Sequence, residues 1–74
     1  MPKKMTIELT IPGSFKGEPI FYYMVKNYDV IPNIIEASFS TDMGWAIVEI
    51  QGEDEEVQSL IDFLESKGVE VKTR

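Results

Sequence analysis

The chain has 74 residues, with 7 Lys and Arg against 13 Asp and Glu and a net charge of −6. That balance argues against a nucleic-acid partner, because such binding draws most of its affinity from basic residues meeting phosphate. There is no cysteine and no histidine, which excludes disulfides, thiol nucleophiles, cysteine-held iron–sulfur clusters, the usual zinc sites and histidine acid–base catalysis.

The length fits one small domain over residues 1–74, of a size that buries only about 60% of its unfolded surface. Hydrophobic residues at 43% are ordinary for a soluble globular domain. No apolar run reaches the length of a membrane span. No signal-peptide core follows Lys3 and Lys4, so the chain reads as cytoplasmic.

In chain order, "KMTIELTI" (4–11) alternates Met5, Ile7, Leu9 and Ile11 with Lys4, Thr6, Glu8 and Thr10, the mark of a half-buried strand. "PGSFKG" (12–17) is turn-rich and ends it. "GEPIFYYMVKNY" (17–28) predicts a helix. Pro19 is tolerated in its first turn, and Ile20, Met24, Val25 and Tyr28 form the apolar stripe. "DVIP" breaks that helix.

"NIIEASFS" (33–40) predicts the second strand, with Ile35, Ala37 and Phe39 toward the core and Ile34, Glu36, Ser38 and Ser40 away from it. "TDMG" is the turn, and 44–51 is the third strand, with Ala46, Val48 and Ile50 inward. "GEDEEVQSLIDFLESKGV" carries the clearest helix signature. Asp54 stands as N-cap, Glu55 and Glu56 lie at the positive end of the dipole, and Val57, Leu60, Ile61 and Leu64 form the stripe. Lys67 closes the last turn and Gly68 caps it. "VEVK" (69–72) is a short fourth strand with Val69 and Val71 inward.

The order βαββαβ predicts an α+β, ferredoxin-like domain: a four-stranded antiparallel sheet in the order 4-1-3-2 with two helices on one face. The uncovered face then carries Thr6, Glu8, Thr10, Ile34, Glu36, Ser38, Trp45, Ile47, Glu49, Glu70 and Lys72. Paired residues share a face, so only alternate hairpin registers are open. The register placing Ser38 opposite Trp45, Glu36 opposite Ile47 and Ile34 opposite Glu49 avoids setting Glu36 against Glu49. It also gathers Ile34, Trp45 and Ile47 on a face that should meet water. Single exposed apolar residues are normal, but this cluster reads as a contact surface, and tryptophan is enriched in such surfaces. On this reading Trp45→Glu converts a dimer into a monomer. Pairing through a sheet edge is an open alternative, since Pro32 and Asn33 block the start of strand 2 only in part.

Motifs for chemistry are weak. Glu8, Glu36 and Glu49 share the open face, but their spacing fits no metal-ligand loop, and alternating glutamates on a sheet are ordinarily solvated. "PGSFKG" lacks the glycine spacing of a phosphate loop, although a helix start after a Gly-containing turn attracts anions in general. An RNA-binding sheet of this topology stacks bases on several aromatics among basic residues, and here one aromatic stands among glutamates. No metal, cofactor, catalytic residue or nucleophile–base pair is expected, so the chain does not read as an enzyme.

The run from "IELTIPGS" through "GEPI" and "DVIPNIIEASFS" to "MGWAIVEIQGEDEEVQSLIDFLESKGVEV" resembles the NIL domain family over nearly all of residues 6–71. The segment for which the family is named stands here as Asn33, Ile34, Ile35. The resemblance implies a ferredoxin-like domain related in architecture to ACT domains. NIL domains occur at the C-terminus of the ATPase subunit of methionine-type importers, where they sense methionine and inhibit transport. They also occur fused to ferredoxin modules of sulfur assimilation, or alone. This chain departs from the importer form: it has no ATPase part, and the loop between Phe39 and Gly44 looks shorter. It looks closer to the ferredoxin-associated or stand-alone form, yet without cysteine it holds no cluster itself.

The implied role is a non-enzymatic regulatory module, a homodimer that binds methionine or a related sulfur amino acid without inserting in a membrane. The alternative is a protein-interaction accessory that docks on a transporter ATPase or a ferredoxin-type sulfur-metabolism protein. Under either reading the expected ligand or interface residues are Asn33, Ile34, Glu36, Ser38, Trp45 and Ile47.

Overall fold

The computed structural model describes residues 3–15, 17–40 and 42–74. Lys16 of the predicted first turn and Thr41 of the predicted hairpin turn lie outside the described residues. Strands β1 (Lys3–Pro12), β2 (Val30–Phe39), β3 (Met43–Gly52) and β4 (Glu70–Thr73) alternate with helices α1 (Ile20–Asn27) and α2 (Asp54–Ser66). The sheet runs β2-β3-β1-β4, and the β1–β3, β1–β4 and β2–β3 pairings are all antiparallel. This is the predicted ferredoxin-like fold, its strand order read from the other edge.

Burial follows the predicted alternation along the two central strands. Ile7, Leu9 and Ile11 of β1 and Ala46, Val48 and Ile50 of β3 are buried under the helices. Each of the isoleucine, leucine and valine side chains among them contributes roughly 1.5–3 kcal/mol by leaving water. Met24, Leu60 and Leu64 are fully buried against them, and Val57, Ile61 and Ile20 complete the helical stripes. Met5 and Val71 pack at the margin of this core. No polar or charged side chain is buried among the described residues.

Local signals place the ends of α2 and the far end of α1 within a residue or two, while α1 begins at Ile20, three residues after the start of the predicted stretch. Gly68 has φ +88°, and its N–H donates to the Glu65 carbonyl as the last turn closes. An L side chain resists that left-handed conformation, which is why glycine stands there. The N-cap of α2 is Glu53, one residue before the predicted Asp54. Pro19 likewise occupies the N-cap of α1, so Glu18 lies before the helix. Val25 was expected in the apolar stripe of α1, but it is exposed on the outer face. Phe15, in the stretch read only as a turn, forms a short 3-10 helix with Gly13 and Ser14 and is buried.

The main departure is β2. The strand begins at Val30, three residues earlier than predicted, and Val30 is buried. From Asn33 onward every residue is exposed. Ile35, Ala37 and Phe39, expected in the core, are therefore outside it, with Ile35 at 56% and Phe39 at 57% exposure. The reason is length. Ten residues of strand span about 33 Å, whereas α1, the helix packed against β2, has eight residues and spans about 12 Å. Helix α2 packs on β3 and β4. The far half of β2 extends beyond both.

Candidate functional site

The hairpin register is as predicted from Glu36 onward: Glu36 faces Ile47, Ala37 faces Ala46, Ser38 faces Trp45 and Phe39 faces Gly44. The ladder then slips. Ile35 has no partner, Ile34 pairs with Val48 and Asn33 pairs with Glu49. One extra residue in an edge strand is a β-bulge. It inverts the faces of everything before it, because side chains alternate with a period of two. Ile34 was expected opposite Glu49 on the open face. It falls instead on the helix-side register beside Val48, and Asn33 takes the open-face position.

Five of the six expected residues, Asn33, Glu36, Ser38, Trp45 and Ile47, thus share the open face, and Ile34 does not join them. The β1 register completes the surface. Trp45 lies between Ser38 and Thr10, Ile47 between Glu36 and Glu8, and Glu49 between Asn33 and Thr6. Trp45 is 38% exposed and Ile47 is half-buried. Glu8, Thr10, Met43, Gly44, Trp45 and Ile47 line a shallow depression of about 360 Å³ there. At the β4 side, the Arg74 Nε donates to the Glu8 carboxylate at 3.3 Å. Both side chains are well exposed, so this pair is worth little to stability. Among the described residues no three acidic side chains gather in a group able to hold a metal ion.

The bulge also changes the edge itself. Ile31, Ile34, Ile35 and Phe39 are each at least half exposed and distributed along one edge strand. An edge strand presents the free N–H and C=O groups of its outer side to any chain that can add to it. Pro32 removes one donor near the start of β2 and leaves the far half free. Phe39 lies over Gly44 of β3, where any added Cβ would collide with its ring. That contact anchors the end of β2 and forms one wall of a cleft.

This cleft, about 200 Å³, lies between the hairpin end and the start of α1. Ile11, Phe15, Ile20 and Phe39 line it, with Glu18 and Ser40 as polar members. It brings Phe15 and Phe39 together, and the residue distribution of "PGSF" and "SFS" gave no hint that they would meet. The Glu18 carboxylate accepts a hydrogen bond of 2.8 Å from the Tyr23 hydroxyl. That bond holds the phenol above its ordinary pKa, because ionisation would give up the proton it donates, and the negative charge of Glu18 pushes the same way.

Residues 5–73 match the family model of the NIL domain. The chain belongs to the NIL domain family. Among curated proteins this NIL domain is similar to the methionine import ATP-binding protein MetN of Bacillus subtilis, 30% identical over 70 residues, which cover 89% of this chain and 20% of that protein. It is also similar to methionine import ATP-binding protein MetN 2 of Acinetobacter baylyi, 35% identical over 63 residues, covering 80% of this chain and 18% of that protein. The NIL domain chain spans about a fifth of the length of these relatives. Its fold matches the solved C-terminal domain of an ABC transporter ATP-binding protein from Enterococcus faecalis. That match has a TM-score of 0.81 at 22% identity, and covers 93% of this chain and 81% of that one. No helix among the described residues is long and apolar enough to cross a membrane.

Proposed function

We propose that residues 1–74 form a single non-enzymatic regulatory domain that works in the cytoplasm as a homodimer and binds methionine or a related sulfur amino acid. Membership of the NIL family and relatives that import methionine support this role. The observation that carries the dimer is β2: a ten-residue edge strand with large apolar side chains exposed on both faces. Natural edges are ordinarily short, charged or covered. Two copies joined antiparallel along β2 would pair the free backbone groups and bury Ile34, Ile35 and Phe39 at one stroke. The open-face residues Asn33, Glu36, Ser38, Trp45 and Ile47 would then line a surface continuous across both copies.

A second reading is favoured by the outer face of α1, where Tyr22 and Val25 are exposed one helical turn apart. They suit docking on a larger protein, such as a transporter ATPase or a ferredoxin-type sulfur-metabolism protein.

Sedimentation velocity separates the edge from the open face. The wild type is expected to be a dimer. The double variant Ile34→Lys, Phe39→Lys is expected to be a monomer with an unchanged circular dichroism spectrum, while Trp45→Glu stays dimeric. A monomer from Trp45→Glu alone would move the interface to the open face, and a wild type monomeric at high micromolar concentration would sink the dimer. Calorimetry with methionine, homocysteine and a panel of other amino acids tests the ligand. No heat at millimolar concentration removes that part of the proposal.

A further inference from the structure

The open face of the sheet carries a continuous apolar track. Met43, Trp45 and Ile47 alternate along β3 on that face and lie together in the shallow depression. Met43 is 53% exposed and Trp45 38%. The rise of a strand puts Met43 and Ile47 about 13 Å apart. Both helices pack on the opposite side of the sheet, so only another molecule can cover this track.

Carboxylates border it. Strand pairing sets Ile47 between Glu36 of β2 and Glu8 of β1, and Glu49 follows Ile47 on the same face. Neighbouring strands are about 4.8 Å apart, so the backbones that carry Glu36 and Glu8 are separated by about 10 Å. Among the described residues Glu36 and Glu49 belong to no ion pair. The cations of the face are to one side. Arg74 is held by Glu8, Lys72 approaches Glu70, and Lys4 lies near the start of β1 opposite Gln51. The uncompensated charge flanking Ile47 is therefore negative.

These features limit what can cover the track. β3 is an inner strand, already bonded to β1 and β2, so no extended segment can add to it. A helix can lie across it, as helices do on the faces of sheets. Apolar residues at i, i+4 and i+8 of a helix span about 12 Å, close to the length of the track. A helix with its side chains is about 10–12 Å wide, close to the separation of Glu36 and Glu8. Nucleic acid and anionic lipid have the wrong charge. So has a second copy, since a two-fold axis through Ile47 would bring the same carboxylates together.

We propose that the face around Trp45 docks a basic amphipathic helix of a partner protein, lying along β3. The apolar stripe of that helix covers Met43, Trp45 and Ile47. Lysines or arginines beside the stripe meet Glu36, Glu8 and Glu49. Trp45 is the central anchor, the residue type most enriched among those that dominate binding energy. This docking needs neither the β2 dimer nor amino-acid binding.

The test is a two-dimensional amide NMR titration of the full chain with three helical peptides, each about five turns long. The first has leucines at i, i+4 and i+8 flanked by lysines. The second has glutamate for every lysine, and the third has the leucines of the first scattered around the helix. Only the first should bind, shifting the amides of Thr10, Trp45, Ile47 and Glu49, with an affinity that falls as salt rises. Trp45→Ala should weaken it about tenfold or more. Glu36→Gln with Glu49→Gln should weaken it about threefold or more. Glu55→Gln with Glu65→Gln, an equal change of charge at exposed positions of α2, should leave it unchanged. Equal weakening by the two pairs would overturn the site, because net charge alone would then explain the binding. Binding of the second peptide as tightly as the first would overturn the charge complement, and of the third the helical stripe. Shifts centred on the acidic start of α2, or no shift with any peptide, would overturn the docking itself.

Discussion

Strands β1 and β2 have the same length, ten residues each, and opposite fates. β1 lies between β3 and β4 beneath the helices, and its alternate residues Ile7, Leu9 and Ile11 are at most 5% exposed. β2 lies at the edge, carries a bulge at Ile35, and leaves Ile31, Ile34, Ile35 and Phe39 in water. Both have apolar residues at the positions that periodicity reads as inward. Hydrophobic alternation therefore records which side chains can be buried. Neighbouring strands and the reach of the helices decide which are. In a domain this small, an apolar strand left over by its own core is surface available to a partner.

The contrast is broken most sharply by deleting one residue. Removing Glu8 from β1 shifts the parity of every residue beyond it, so one half of the strand turns its apolar side chains to water. That deletion is expected to abolish cooperative unfolding in urea. Removing Ile35 instead takes out the one unpaired residue of β2 and leaves the pairings on both sides of it in place. The variant should fold, with stability within about 1 kcal/mol of wild type. A Glu8 deletion that unfolds cooperatively like the wild type would show that β1 does not set the register of the sheet.

Truncation gives the next largest effect. Leu9 is fully buried, and Leu9→Ala should cost about 2–5 kcal/mol in equilibrium unfolding. Phe39→Ala removes a larger side chain, yet in the monomer it should cost less than about 1 kcal/mol, because that ring is more than half exposed. If two copies pair along β2 as proposed, the same Phe39 variant should also weaken that self-association in sedimentation velocity. Equal costs for the two substitutions in the monomer would contradict the burial difference.

The smallest test lies at the border of the two regions. Gly44 is on β3, directly beneath the Phe39 ring of β2. Gly44→Ala forces that ring away and should cost about 1–3 kcal/mol, the usual range for overpacking. In a Phe39→Ala background the added methyl has room, so the cost should fall close to zero. A double-mutant cycle with no coupling between positions 39 and 44 would mean that the ring does not anchor the end of β2.

Much of the fold was legible in the chain. The βαββαβ order, the stripes Val57–Leu60–Ile61–Leu64 and Ile20–Met24, the inward sides of β1 and β3, and the cap at Gly68 all follow from periods and residue types. Each is a local signal, set within a few residues by backbone geometry. The hairpin register from Glu36 to Phe39 was also readable, since like charges facing each other are unfavourable.

The candidate site was legible only in part. Trp45, Ile47, Ser38 and Glu36 meet as expected because no irregularity separates them from the turn. Asn33 and Ile34 exchange faces because a bulge adds one residue, and no residue type in "NIIEAS" announces it. The exposure of Ile35, Ala37 and Phe39 depends on an eight-residue helix ending before it covers them. The meeting of Phe15 and Phe39 in one cleft joins a turn to the end of an edge strand. Local sequence alone determined the elements and their faces, because helix and strand periods are properties of the backbone. Only the tertiary structure decided coverage, register and the clefts, because these depend on how far one element reaches along another.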